Sequence, residues 1–251
     1  MTSNWFQRFA GFFPYPDNYT TFDLETSGLD PTRNQVCAIG YTVVRNRQPV
    51  HNEEVYLNWP AYAASGRLDA AVFRADLENT ERALNSKHKP FHHTWERLQQ
   101  YGQDPCEVLQ RYLTLFEGLE REREVLVAHN GWQFDVEFLQ AAFYNWVFQG
   151  RERFDFDDQL MYDTGVAEKA SQLSDSYDPL PLVGESLKQF FWRIGQARAR
   201  GVKWALDQYC EERYGLLKKA GVQPGDCHRP AVDSFLVHRL MEEHRQLAGV
   251  A

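Results

Sequence analysis

The chain is short of the features that mark several common functional classes. Its four cysteines, Cys37, Cys106, Cys210 and Cys227, have no Cys-x-x-Cys spacing and fall well below the density of a disulfide framework. Reduced thiols and a cytoplasmic location are the expectation. Positive charge is also scarce: the net charge of −8 argues against a polybasic protein that coats nucleic acid non-specifically. It does not exclude a nuclease, because acidic metal ligands count against the total. No run approaches the roughly 18 apolar residues that a membrane span needs, so no membrane partner is expected. The apolar start is broken by Gln7 and Arg8 and lacks the basic region and continuous apolar core of a signal peptide. Internal repeats, low-complexity tracts and a clear linker are missing as well. The expectation is one domain over residues 1–251, with Trp5, Phe6, Phe9 and Phe13 forming the apolar face of a docking segment at 1–17.

What is present reads as alternating strands and helices. Tyr19–Leu24 is a predicted strand, followed by Ser27-Gly28 and Asp30-Pro31 turn signals. Gln35–Arg45 and Val50–Leu57 are β-rich and pair across a turn at Asn46–Pro49. Helical patterning follows at Leu68–Leu84 and Thr94–Tyr101. Pro105 suits the first position of a helix carrying Val108, Leu109, Tyr112, Leu113 and Phe116. Val125–Ala128 is a short buried strand, Phe134–Phe148 a helix, and Gln159–Tyr162 a further strand ending at Asp163-Thr164. Ser171–Pro181 reads as a loop; Leu187–Phe191, Val202–Tyr214 and Arg229–Leu247 read as helices. Glu120–Glu124 has the composition of an exposed mixed-charge turn, and Phe190-Phe191-Trp192 that of core. Together these elements predict an α/β fold with a mixed sheet and helices on both faces.

Five residues carry chemistry. Asp23 and Glu25 stand at i and i+2 of a strand, hence on one face. Burying two adjacent acids is costly without compensating charge. Asp135 opens a helix just beyond the strand ending at Ala128, His129 and Asn130, where α/β sheets place their ligands. Asp233 lies in the first turn of a helix behind Pro230, and His228 precedes it on a loop. Four carboxylates without cysteine or paired-histidine spacing favour hard divalent cations, Mg²⁺ or Mn²⁺. A single imidazole beside them is suited to deprotonating an attacking water. The set is equipment for two-metal phosphodiester hydrolysis. Thr26, Ser27, Gly28 and Leu29 offer hydroxyls, main-chain N–H groups and a close backbone approach for a terminal nucleotide. His129, Asn130 and Phe134 join them as expected substrate contacts. Residues 60–95 are locally basic through Lys87, His88, Lys89, His92 and His93, as is the stretch Arg193, Arg198, Arg200 and Lys203; both read as solvated faces or strand-tracking surfaces.

The motifs Phe-Asp-Leu-Glu-Thr-Ser-Gly-Leu (22–29), Val-Ala-His-Asn-x-x-x-Phe-Asp-x-x-Phe-Leu (127–139) and His-x-x-x-x-Asp (228–233) occur in that order. Together they resemble the three exonuclease motifs of the DEDD superfamily, His subgroup, which includes the proofreading exonuclease of the bacterial replicative polymerase, RNase T and oligoribonuclease. Asp163-Thr164 and the Cys210–Gly215 segment are also similar to that family. Arg229 occupies the position where the sister subgroup has tyrosine. The spacing from Glu25 to Asp135 is longer than in compact members, with the excess in a helical insertion near 60–95.

The resemblance implies a ribonuclease-H-like fold and 3′→5′ hydrolysis that releases nucleoside 5′-monophosphates. It implies that Asp23 bridges two metal ions, that Glu25 and Asp233 complete one centre, and that Asp135 holds the second. His228 becomes the general base, and Leu29 wedges against the terminal base. The expected substrate is a single-stranded or frayed DNA 3′ end. RNA tails or short oligoribonucleotides are the alternative, since no residue decides about the 2′-hydroxyl. A non-catalytic nucleic-acid-binding domain is the alternative of another class, disfavoured because four clustered acids repel a phosphate. Protein partners are not named by the sequence, and no polymerase-tethering tail is expected after the third motif.

Overall fold

The computed structural model describes residues 5–156, 161–173, 179–197, 205–206 and 209–250. A short helix α1 (Trp5–Phe9) precedes strands β1 (Tyr19–Thr26), β2 (Val36–Arg45) and β3 (Gln48–Tyr56). Helices α2 (Trp59–Ala64), α3 (Ala70–Asn85), α4 (Trp95–Tyr101) and α5 (Pro105–Arg121) follow, then β4 (Val125–Ala128) and α6 (Asp135–Ala142). The chain continues through β5 (Met161–Asp163), α7 (Thr164–Leu173), α8 (Leu187–Gln196), α9 (Leu216–Ala220) and α10 (Pro230–Ala248). The five strands form one mixed sheet in the order β3-β2-β1-β4-β5. β1, β2 and β3 are antiparallel neighbours, whereas β4 and β5 run parallel to β1.

The pleat of β1 divides its side chains between two helical layers. On one face Phe22 packs edge-on against Phe116 of α5, and across β2 Tyr41 meets Tyr112 of the same helix. On the other face Tyr19 hydrogen-bonds His238 and Thr21 bonds the Ser234 carbonyl, both on α10. Helices therefore cover both faces, and the core lies between them and the sheet. Asp23 and Glu25 continue the α10-facing set beyond Thr21.

Several elements form for the expected local reasons. Asp104 caps α5 through the Glu107 N–H, with Pro105 in the first turn and Val108, Leu109, Tyr112, Leu113 and Phe116 buried. The β2–β3 turn is tighter than the sequence predicts. Asn46 and Arg47 both take positive φ (48° and 67°), the two-residue hairpin geometry, so Pro49 falls inside β3. β3 is an edge strand, where the missing N–H of a proline is tolerated. In α1, Trp5, Phe6 and Phe9 are buried, with Phe6 against His244 of α10 and Phe9 stacked on Phe190 of α8.

Other segments differ from the sequence reading. α2 was not anticipated; Asn58 caps it by accepting from the Ala61 N–H. α7 occupies part of the predicted 171–181 loop. Its residues are buried from Thr164 to Ser171, so it lacks the apolar stripe that marks a surface helix. Its polar Glu168 is buried and bonded to His244 and Tyr214. The Phe134–Phe148 helix is regular only to Ala142 and then becomes a π turn, Phe143–Val147. Glu124 is not an exposed turn residue: it accepts from Thr20 at 2.6 Å and pairs with Arg45 at 2.8 Å. Phe190 and Phe191 are buried, but Trp192 is about half exposed. Gln159 and Leu160 of the fifth predicted strand, residues 174–178 of the predicted loop, and Arg198, Arg200 and Lys203 of the basic stretch lie outside the described residues. Of the predicted 202–214 helix, the described residues include a π turn at Tyr209–Arg213.

Candidate active site

Asp23 and Glu25 leave the sheet toward the first turn of α10, and the sequence of β2 decides how near that turn can come. Gly40 is paired with Asp23. A Cβ on Gly40 would lie 2.1 Å from the Pro230 carbonyl carbon, so only glycine admits α10 at this height. Side chains from three strands then fix the helix start. Thr21 donates to the Ser234 carbonyl at 2.6 Å, Thr42 meets the Ser234 hydroxyl at 3.1 Å, and Asn52 donates to the Ala231 carbonyl at 2.9 Å.

This anchoring sets Asp233 beside the two β1 acids. Asp233 is buried, and its Oδ2 accepts the His228 N–H at 3.1 Å. His228 has a left-handed backbone (φ 62°), which non-glycine residues adopt at a cost of roughly 1 kcal/mol or more. The resulting turn brings His228 Nδ1 to 3.8 Å from Glu25 Oε1. Glu25, His228 and Asp233 each offer a donor atom within 4.8 Å of the others.

Asp135 enters from the opposite side. Its Oδ1 accepts the Leu24 N–H at 3.1 Å, so the carboxylate is tied to the backbone between Asp23 and Glu25. A further acid, Asp163 at the end of β5, was not assigned a role by the sequence. It accepts N–H groups from Asn130, Trp132 and Val166, and burial raises its carboxyl to about 6. Asp163 thereby holds the turn that delivers Asp135. The strand-end dipeptide Asp163-Thr164 was the signal for it.

The end of the 60–95 segment makes contacts that its composition does not suggest. His93 is 1% exposed rather than solvated, and its Nε2 lies 3.1 Å from the Thr26 carbonyl. Its Nδ1 lies 3.8 Å from Glu25 Oε2. Burial drives the imidazole down to about 3, against the opposing effect of the bond to Thr26. The neighbouring His92 reaches the Gly225 and Cys227 carbonyls at 3.1 and 3.2 Å, on the loop that leads into His228. The pair therefore ties the end of β1 to the loop bearing His228.

Residues Leu24–Leu29, with Asp76, Thr80, Lys87 and Phe134, line a cleft of about 620 Å³. α3 forms its far wall: Thr80 donates to the Ser27 carbonyl, and Asp76 binds both Arg33 and Asn34. The expected nucleotide contacts divide here. Thr26, Ser27, Gly28, Leu29 and Phe134 line the cleft, and Leu29 is 86% exposed. Ser27 is buried, its N–H bonded to the Gln35 carbonyl and its hydroxyl accepting the Gln35 N–H. Thr26 donates its hydroxyl to the Gly28 carbonyl. His129 meets Thr164 at 3.0 Å and packs edge-on to Tyr209, while Asn130, in a left-handed turn (φ 60°), gives its N–H to Asp163. The latter two contacts serve the β4–α6 turn.

Electrostatically the cluster is under strain. Burial, then the charges of Asp233, Asp135 and Glu25, push Asp23 well above the usual carboxylate range. Glu25 is raised by burial and then by Asp233 and Asp135, and Asp135 by burial and then Asp163. Asp23 Oδ2 is buried with no hydrogen-bond partner among the described residues. Mutually repelling oxygens and an orphaned one fit hard divalent cations, which neutralise such a set.

No protein-family model matches the sequence, and no curated protein matches it. Similarity is found among solved structures, to exonuclease I of E. coli. The zinc-bound complex of that protein with single-stranded DNA aligns at 13% identity and a TM-score of 0.53, over 92% of this chain and 40% of the other. A complex with a dT13 oligonucleotide gives 12% and 0.52, over 93% and 42%. A third structure of exonuclease I gives 14% and 0.53, over 93% and 43%. At such identities the likeness establishes the fold, a ribonuclease-H-like mixed sheet, and this chain spans less than half the length of exonuclease I.

Proposed function

We propose that the protein is a divalent-metal-dependent 3′→5′ exonuclease that acts on single-stranded or frayed DNA and releases nucleoside 5′-monophosphates. The observation that carries this reading is the convergence of Asp23, Glu25, Asp135, Asp233 and His228 at one end of the sheet, beside a cleft of nucleotide size. The shared fold with exonuclease I, crystallised with single-stranded DNA, supports it. In this reading residues 1–251 act as one exonuclease domain, with the described part of the 1–17 segment, from Trp5 on, docked on α10 and the 60–95 segment walling the cleft.

Each residue has a separable task. When bound, two ions, Mg²⁺ or Mn²⁺, supply the charge that polarises the phosphodiester and steadies both oxygens of the displacement. Asp23, central among the acids, would hold both ions. Glu25 and Asp233 would complete one centre and Asp135 the other. His228 removes the proton from the attacking water, its imidazole aimed by the left-handed turn and by the N–H bond to Asp233. Gly28 and Phe134 seat the 3′-terminal nucleotide, and Leu29, projecting from the cleft rim, separates its base from the next.

The test is a comparison of 5′-labelled single-stranded DNA, duplex DNA and RNA with Mg²⁺, Mn²⁺ or chelator, resolved by product length. The expected result is a metal-dependent ladder shortening from the 3′ end, slowed by a 3′-phosphate that crowds the pocket. Rapid cutting of circular single-stranded DNA, or an undiminished rate in chelator, overturns the reading.

A further inference from the structure

His93 turns Nδ1 toward the Glu25 carboxylate of the acidic cluster, although it lies in the segment whose composition marks it as surface. Two observations fix its state. The first is direction: Nε2 faces the Thr26 carbonyl at 3.1 Å, and a carbonyl can only accept, so Nε2 carries the proton. The second is an orphan: Nδ1 is buried and has no hydrogen-bond partner among the described residues. Its neighbour is Glu25 Oε2 at 3.8 Å, which is too far for a hydrogen bond. That separation is typical of two donor atoms sharing one cation, roughly 3–4 Å for bonds of about 2 Å. A ring whose far nitrogen donates to a backbone carbonyl while the near one points at a carboxylate has the support usual for metal-ligating histidines.

Leaving such a nitrogen buried and unpaired costs free energy that a cation would recover. Nδ1 faces the Glu25 carboxyl from beyond hydrogen-bond reach. Glu25 is flanked on its other oxygen by His228 Nδ1, also at 3.8 Å, so the two imidazoles approach the same carboxylate from different sides.

We propose that His93 Nδ1 ligates the ion held by Glu25, making this centre a mixed nitrogen–oxygen site that prefers Mn²⁺ to Mg²⁺. The inference rests on the metal-dependent reading above and adds to it a ligand from outside the three motifs. Carboxylate oxygens serve both ions, but imidazole nitrogen favours transition metals, whereas Mg²⁺ keeps an all-oxygen shell. The 60–95 segment then contributes to the chemistry and to metal choice as well as to the cleft wall.

The experiment reads metal binding without nucleic acid. Pulsed electron paramagnetic resonance of the Mn²⁺-loaded protein should show nitrogen coupling from a histidine. The coupling should persist in His228→Gln and vanish in His93→Gln, where the amide can still donate toward the Thr26 carbonyl. Calorimetry should show Mn²⁺ binding more tightly than Mg²⁺, with His93→Gln lowering Mn²⁺ affinity on the order of tenfold or more and Mg²⁺ affinity much less. Should His93→Gln fail to fold, the wild-type and His228→Gln spectra decide. Absence of nitrogen coupling from either overturns the proposal, as does coupling retained in a folded His93→Gln protein. A protein that shows the His93 coupling yet cuts nothing overturns the nuclease reading alone. One that cuts but shows no coupling overturns the ligand assignment alone.

Discussion

Gly40 on β2 and Pro230 at the start of α10 are in contact so close that a single methyl group on Gly40 would fall 2.1 Å from the Pro230 carbonyl carbon. Gly40 is also the cross-strand partner of Asp23. The same position therefore sets the height of the helix that carries Asp233 and lies directly across the sheet from Asp23.

Gly40→Ala should push the start of α10 off the sheet. Overpacking of this kind costs about 1–3 kcal/mol, a drop in Tm of several degrees for a domain of this size. Turnover should fall further than stability does. A shift of about 1 Å in catalytic groups can cost on the order of 10²-fold, and Asp233 and His228 both ride on this turn. Thermal melts and kcat measured on the same preparation check it; normal values of both would mean the contact is unimportant.

The acidic cluster predicts an unusual dependence of stability on pH. Asp23 is raised by burial and by Asp233, Asp135 and Glu25. Its contribution to stability is thus fully present below the unfolded carboxylate pKa, about 4, and is lost as pH rises through the folded value. In chelator, Asp23→Asn should melt above the wild type, and the gap should widen between pH 5 and pH 8. A gap of about 1–2 kcal/mol at pH 8 would be a few degrees. Divalent metal should close it by stabilising the wild type, increasingly so at higher pH because its ligands must be deprotonated. Asp23→Asn should have no measurable turnover. A gap that narrows with rising pH would contradict the electrostatic account.

His228→Asn separates chemistry from folding. Asparagine tolerates the left-handed conformation that His228 adopts at φ 62°. Tm should stay within about a degree or two, while kcat falls on the order of 10²–10⁴-fold, the usual contribution of a positioned base. Metal affinity by calorimetry should change little. A large loss of affinity would assign His228 with Glu25 and Asp233 as a ligand instead.

How much of this was legible follows from the range of each signal. Asp23 and Glu25 announce a shared face because strand periodicity is local, and the alternation along β1 was recoverable from residues 19–25. Asp135 and Asp233 were legible as acids at helix starts. α7 was not, since a helix buried on all sides has no stripe, and its Glu168 looks like surface until His244 and Tyr214 are brought to it. His93 was read as a solvated basic residue. Its neighbours Thr26 and Glu25 are distant in the chain, and no local pattern distinguishes a buried His-His pair from an exposed one. The same applies to Gly40, whose reason is a helix nearly two hundred residues further on.

The last prediction concerns how the 60–95 segment meets a nucleic-acid strand. Its cations are not equivalent. Arg67 lies over the Tyr62 ring at 5.2 Å and Arg74 over the Trp95 ring at 4.2 Å, so both are engaged in packing. Lys87 instead lines the cleft with Gly28, Leu29 and Phe134. In an acidic protein, a cation at that position can contact a backbone phosphate, which positions a strand without reading its sequence. Lys87→Ala should weaken single-stranded DNA binding equally across sequences and reduce the slope of log affinity against log salt by about 0.7, the value for one phosphate contact on a single strand. Arg74→Ala should leave that slope alone and lower Tm modestly through loss of the ring contact. Fluorescence anisotropy on a catalytically inert Asp23→Asn background, over a salt series, reads both. An unchanged slope in Lys87→Ala would mean that the cleft binds its strand without this lysine and that the segment is only a wall.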